Sequence, residues 1–288
     1  MTKQKNDLLA GTLAALLCAA ITLITLILPG DRNLGLIFRQ KLFILPAVFL
    51  LTYLAVSVKN VYLKALAYPL LFGIFLLPLM GLWNSGASSQ YIFAGTIPWS
   101  DAFIHHLNTL RFLFGGSMEQ SSAIRPLALT FNALVLLLSD NNGLVLYGLT
   151  AMLVAGSVLL TLPLITGEFG PAAAALFLTN AFFFVRAYLG SFMTEPYSFI
   201  IGYLSAFFLI HGANRRKTGL VLLGFLSLSL ALNIRPSAIF VYVTAGLWFF
   251  FHFMKQQPKR LLMSALAFFA LLSGFALSEL NTRFVAQE

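Results

Sequence analysis

The sequence predicts an all-α polytopic membrane protein of about nine transmembrane helices, with interfacial juxtamembrane helices in one long non-cytoplasmic loop. Three observations predict it. First, 59% of the 288 residues are apolar and only 9% are charged, at a mean hydropathy of +0.89, which leaves no room for an ordinary soluble domain. Second, runs such as 8–28, 42–58 and 144–165 approach or reach the roughly 20 apolar residues that cross a bilayer core. Inside lipid the backbone must satisfy its own polar groups, so these runs are helices. Third, basic residues come in short clusters between apolar runs, Arg215-Arg216-Lys217 and Lys255 with Lys259-Arg260, as in cytoplasmic loops.

The first span, 8–29, follows Lys3 and Lys5. It is longer than the apolar core of a signal peptide and lacks the small residues of a cleavage site, so it reads as a retained anchor. The single cysteine, Cys18, lies within it as a packing residue, and no intramolecular disulfide exists. Spans 42–58 and 64–83 follow. Trp83-Asn84-Ser85-Gly86-Ala87-Ser88-Ser89 is then the polar exit that opens the loop 84–142.

Within that loop Ser100 is placed to cap a helix from Asp101 to Phe114, on which Phe103, Leu107, Leu110 and Phe114 recur at helical spacing. Such a helix lies in the interface rather than spanning it. The apolar stretch 126–139 has about 14 residues, short for a span and suited to a re-entrant or interfacial helix. Spans are then expected at 143–166, 170–187, 196–213, 219–234, 236–254 and 261–279. The whole, 1–288, reads as a single integral-membrane domain made of the loop 84–142 and a helical bundle over 143–279, with no internal repeat.

Charge sets the expected topology. With a cytoplasmic N-terminus and no crossing at 126–139, ten of the eighteen basic residues lie inside, and the outside holds eight basic and seven acidic residues. A crossing at 126–139 reverses this to seven basic residues inside and eleven outside, against the positive-inside rule. In the preferred arrangement 84–142, 188–195 and 233–235 share the non-cytoplasmic side, so Asp101, Glu119, Arg125, Glu195 and Arg235 can converge. Arg32, Arg39 and Lys41 are its weak point, because they too fall outside. The localisation that fits is a bacterial inner membrane.

The candidate chemistry follows from this placement. Asp101 sits in the first turn of the interfacial helix beside Pro98 and Trp99, where a carboxylate is stabilised by the helix N-terminus and can also meet a lipid-carried substrate and a water-borne acceptor. It is read as a general base or metal ligand. Asp101 and His105 share a helix face, but two ligands do not make a metal site, so His105 and His106 are expected to be solvated interfacial histidines and no metal centre is assigned. Glu119 is a possible second carboxylate in the loop. Arg125-Pro126, Glu195-Pro196 and Arg235-Pro236 each place a charge immediately before a proline at the start of an apolar helix. A charge there either snorkels to the headgroups or serves a ligand, and an arginine suits a phosphate. No Walker loop, dinucleotide fingerprint, nucleophile elbow or His-Glu-x-x-His is present, and no aromatic-interleaved basic patch points to nucleic acid.

The order of these parts, Trp99-Ser100-Asp101-Ala102, then Arg125-Pro126-Leu127, Thr194-Glu195-Pro196 and Ile234-Arg235-Pro236, resembles GT-C-fold membrane glycosyltransferases over roughly residues 95–255. The resemblance implies an inverting transfer of sugar from a polyprenyl-phosphate donor to a glycan, lipid or protein acceptor at the non-cytoplasmic face. It implies Asp101 as catalytic base, Glu195 as the second outer-loop acid, and Arg125 and Arg235 at the donor phosphate; Glu119 and His105, from their place in the loop, are further substrate-binding candidates. A divalent metal, Mg or Mn, bridging carboxylate and phosphate is compatible with it and not required. Two spans intervene here between the first helix and the Asp101 loop, unlike many members, and members are usually longer, so the chain is expected to be an N-terminal portion or a truncated relative. The alternative is a transporter or lipid-carrier flippase in which the same charges line a pathway; a third is a catalytically silent membrane partner.

Overall fold

The computed structural model describes residues 2–27, 30–82, 92–93, 97–116, 126–234 and 260–286, together with 247 and 251. In chain order these form α1 (Thr2–Ile27), α2 (Arg32–Gln40), α3 (Ile44–Ser57), α4 (Val61–Leu76) with a 3-10 turn at Leu77–Leu79, β1 (Ile92–Phe93), β2 (Ile97–Pro98), α5 (Asp101–Phe114), α6 (Pro126–Leu138), α7 (Gly143–Val185), α8 (Glu195–Asn214), α9 (Thr218–Ile234) and α10 (Arg260–Ala286). The all-α class holds, and the two short strands make one antiparallel hairpin, Ile92 opposite Pro98 and Phe93 opposite Ile97.

Helix starts follow local chemistry. Asp31, Asn60 and Asn142 each accept a hydrogen bond from the backbone two residues on, at 2.8–3.0 Å, satisfying donors that the first turn leaves orphaned. Inside the helices threonine hydroxyls donate back to the carbonyl four residues earlier, as Thr52 does to Val48 and Thr161 to Ser157, which satisfies these hydroxyls in an apolar setting.

By length and composition, four helical stretches among the described residues are long and apolar enough to cross a membrane: Val61–Leu79, Gly143–Val185, Glu195–Asn214 and Ala265–Phe284. A fifth arises if α2 and α3, bent by 85°, form one broken span. Exposed leucines along these and neighbouring helices, among them Leu50, Leu70, Leu160 and Leu176, are compatible with an integral membrane protein. Nine spans are not confirmed. Expected span 42–58 is a 14-residue helix, 219–234 a 17-residue one, the apolar part of α1 runs only Leu9–Thr25, and 236–254 falls almost wholly outside the described residues. Hydropathy counts apolar residues but does not see where a bend or a cap ends the helix. Spans 143–166 and 170–187 are the two arms of α7, parted at Gly170 by φ 86°, a conformation glycine adopts freely, with Pro171 after it. Run straight, 43 residues would reach about 65 Å, roughly twice the hydrocarbon core.

The chain divides into two compact units, Met1–His106 with Val135–Pro196, and Leu107–Leu134 with Tyr197–Glu288. The first unit is built on α7 against α3 and α4, and α4 against α1. Phe182 is its centre: Phe75 meets it edge-on at 5.7 Å and Phe38 at 6.3 Å, the geometry aromatic quadrupoles favour. Helix α2 approaches the backbone after α4 so closely that a side chain at Gly35 would overlap the Met80 carbonyl, while Gly81, at φ 65°, turns the chain beside Arg32. Arg39 is buried and donates to the Pro78 carbonyl. Arg186, at the end of α7, donates to the carbonyls of Phe38, Gln40 and Lys41 and so satisfies the C-terminus of α2. Arg39, one of the residues that weakened the charge count, is therefore a packing element rather than a loop charge.

In the second unit α9 packs on α10, with Val221, Phe225 and Ala267 at the centre. Small residues and serines make the helix contacts. Ser205 donates to Gly224, Ser198 to Ala231 and Ser229 to Leu271, all from one helix to the next, the pattern that holds helices together where lipid removes the hydrophobic drive.

Candidate functional site

Asp101 is brought into position by a short relay. The hairpin ends at Pro98, Trp99 and Ser100 turn the chain, and α5 begins at Asp101. Ser100 takes φ 57°, a left-handed backbone that costs an L-residue, in place of the extended backbone usual for a helix cap. The carboxylate is exposed at the helix N-terminus and lines an open, apolar cavity of about 560 Å³ with Ile97, Pro98, Trp99, Phe103 and Ile104. A charged group at the mouth of an apolar groove is an arrangement that suits an amphiphile, with its tail against the ring and aliphatic walls and its polar end at the acid.

The helix presents its faces the other way round from a helix lying on water. Ala102, His105, Asn108 and Thr109 are buried, whereas Trp99, Phe103 and Phe114 are exposed. His105, expected to be solvated, is only 9% exposed. The sequence pattern cannot distinguish a polar stripe facing water from one facing a polar interior, because periodicity is the same in both. His106 is half-buried, with its ring 4.1 Å from that of Phe192, and Tyr147 meets Phe192 edge-on at 5.5 Å. The His106 Nδ1 is buried without a hydrogen-bond partner, and burial pushes its pKa below the usual histidine value.

The contact between His106 and Phe192 brings α5 against the segment that leads into Glu195. Leu189, Ser191, Phe192, Met193 and Thr194 of that segment are all buried, and Glu195 itself is 6% exposed. Of the two fates open to a charge at a helix mouth, Glu195 does not snorkel. Asp101, His105, His106 and Glu195 belong to the first unit. Glu119, Arg125 and Arg235 lie outside the described residues. Among the described residues no three His, Cys, Asp or Glu side chains cluster as a metal site. A Mg or Mn ion bound here would lean on one or two carboxylates plus substrate phosphate, as Mg commonly does.

Sequence reasoning missed three features. His106 was taken as solvent-facing with its neighbour, and its contact with the Phe192 ring was not foreseeable from spacing. Arg186 stands alone after a long apolar run, and that isolation was the available signal for a buried cap. In the second unit the Tyr197 hydroxyl donates to Asn132 Oδ1, the Phe131 ring lies 5.2 Å from that of Tyr197, and Asn281 donates to Thr130. An asparagine in the middle of the apolar run 126–139 was the clue to that buried pair. Compared with family models, characterised proteins and solved structures, the chain matches none.

Proposed function

We propose that this chain is an integral-membrane glycosyltransferase of the GT-C type, inverting, that moves a sugar from a polyprenyl-phosphate carrier to an acceptor at the non-cytoplasmic face. The observation that carries the reading is Asp101: an exposed carboxylate at a helix N-terminus, opening on an apolar groove walled by Trp99 and Phe103. Asp101 takes the proton from an acceptor hydroxyl as its oxygen attacks the anomeric carbon and the carrier phosphate departs with the bonding pair. A base so placed contributes about 10²–10⁴-fold. Arg125 and Arg235, each at the start of an apolar run, are the candidates to hold the departing phosphate, where charge accumulates in the transition state. Glu195, buried close to the α5 contact, is the second acid, with His105 and Glu119 on the substrate side.

The test is release of polyprenyl phosphate from a radiolabelled lipid-linked sugar by the purified chain in the presence of candidate acceptors. Asp101→Asn is expected to abolish release with the thermal unfolding midpoint unchanged. Full turnover in that variant sinks the assignment of the base. Movement of intact lipid-linked sugar across proteoliposomes, without release of the carrier, replaces the enzyme by the transporter.

A further inference from the structure

Two guanidinium groups are buried at the corner between α2 and α3. The nine-residue helix α2 carries Arg32 and Arg39, with Lys41 as its C-cap, and after an 85° bend the chain continues as α3, which has no charged residue. A short charged helix that turns sharply into an apolar one suits a chain entering lipid from the headgroup layer, and Leu42 and Phe43 at the turn are exposed. Arg39 is 5% exposed and Arg186, which reaches the same corner from the end of α7, is 3% exposed.

The partners of these two groups are all neutral. Arg186 donates to the Phe38, Gln40 and Lys41 carbonyls at 2.6–3.5 Å and lies over the Phe182 and Phe183 rings at 5.8 and 5.6 Å. Arg39 donates to the Pro78 carbonyl, while its Nε is buried with no acceptor. Among the described residues neither arginine meets a carboxylate. Capping the end of α2 requires donors but not a charge, and it leaves the Arg39 Nε unexplained. The C-terminus of α2 offers about half a negative charge against two buried positive ones, so about one and a half remain uncompensated. Buried charges are ordinarily paired, and a phosphate monoester, at about −1.5 to −2 near pH 7, matches this balance. The planar guanidinium fork also matches phosphate oxygens in geometry.

We propose that the α2–α3 corner binds a phosphate group, held by the free donors of Arg39, with Arg186 and the exposed Lys41 supplying the rest of the positive field. A lipid headgroup and a free phosphate present the same chemistry here, and the experiment separates them. The proposal does not rest on the glycosyltransferase reading.

The experiment uses the full chain, delipidated in a neutral detergent and chloride buffer, and follows the thermal unfolding midpoint by tryptophan fluorescence. Inorganic phosphate at constant ionic strength, phosphatidic acid and phosphatidylcholine are titrated in separate arms. A saturable rise in the midpoint is expected with phosphatidic acid or with inorganic phosphate, and none with phosphatidylcholine. A rise with phosphatidic acid alone identifies the occupant as a lipid headgroup, and a rise with inorganic phosphate alone as a soluble phosphoryl compound. Arg39→Met should raise the half-saturating concentration about tenfold or more, and Arg39→Lys should keep part of the response. Lys41→Gln, at an exposed position, should raise it about fivefold, and decides alone if Arg39→Met does not fold. No saturable rise with either phosphate source, an equal rise with phosphatidylcholine, or a half-saturating concentration unchanged in these variants overturns the proposal.

Discussion

Gly274 of α10 faces Ser229 of α9, and the effect of adding one methyl group there follows from the structure. A Cβ at position 274 would overlap both Oγ and Cβ of Ser229 and stand 3.2 Å from the Leu230 nitrogen. Ser229 is fully buried and its hydroxyl donates to the Leu271 carbonyl at 2.6 Å, so it cannot swing aside without giving up that bond. Gly274→Ala gains about 1 kcal/mol of helix propensity. Against that, over-packing costs about 1–3 kcal/mol. Loss of an interhelical hydrogen bond in a membrane protein costs about 0.6 kcal/mol on average and up to about 1.7. The net expectation is a destabilisation of about 0.6–3.7 kcal/mol. The assay is unfolding of the detergent-solubilised chain by increasing SDS fraction, followed by circular dichroism. A double-mutant cycle with Ser229→Gly isolates the cause: moving the small residue to the facing helix should recover at least about 1 kcal/mol as coupling. A Gly274→Ala protein that is more stable than the wild type, or a cycle that is additive, refutes the packing of α9 on α10 argued above.

Other expectations concern the region around Asp101. Ser100→Gly should raise the unfolding free energy slightly, by up to about 1 kcal/mol, because glycine tolerates φ 57° where serine is strained. Ser100→Val should lower it by about 1–3 kcal/mol, and equal tolerance of both would contradict the left-handed turn. His106, whose pKa is depressed by burial, binds its proton less readily folded than unfolded. Stability is thus full above the unfolded value of about 6.5 and is lost as pH falls through it towards the folded pKa, with a slope of at most about 1.4 kcal/mol per pH unit. His106→Phe should flatten that slope in unfolding midpoints measured from pH 7.5 to 5; an unchanged slope would place the titration elsewhere. Asp101→Asn, by contrast, should leave stability alone and remove only carrier release.

Much of the fold was legible because lipid imposes so few options. Long apolar runs must be helices, so the all-α class and the positions of α4, α7, α8 and α10 followed from composition and run length. The break in α7 was also written locally, as Gly170-Pro171, and the start of α5 at Asp101 as a polar turn before a periodic segment. Asp101 was identifiable as a site candidate for the same reason: a carboxylate between a tryptophan and an amphipathic helix is an anomaly in a chain with so few charges.

What only the tertiary structure decided is which face of each helix meets protein. Periodicity marks a stripe on α5 but not whether the polar stripe looks outward, and in lipid the answer inverts: His105, Asn108 and Thr109 are inside while Trp99 and Phe103 are outside. The same holds for the arginines. A guanidinium next to an apolar run reads as a loop charge until a partner helix presents carbonyls, as α2 does to Arg186, and that partner lies about 145 residues away. Local sequence carries propensity, caps and breaks; long-range pairing of polar groups in a medium without water is settled only when the helices meet.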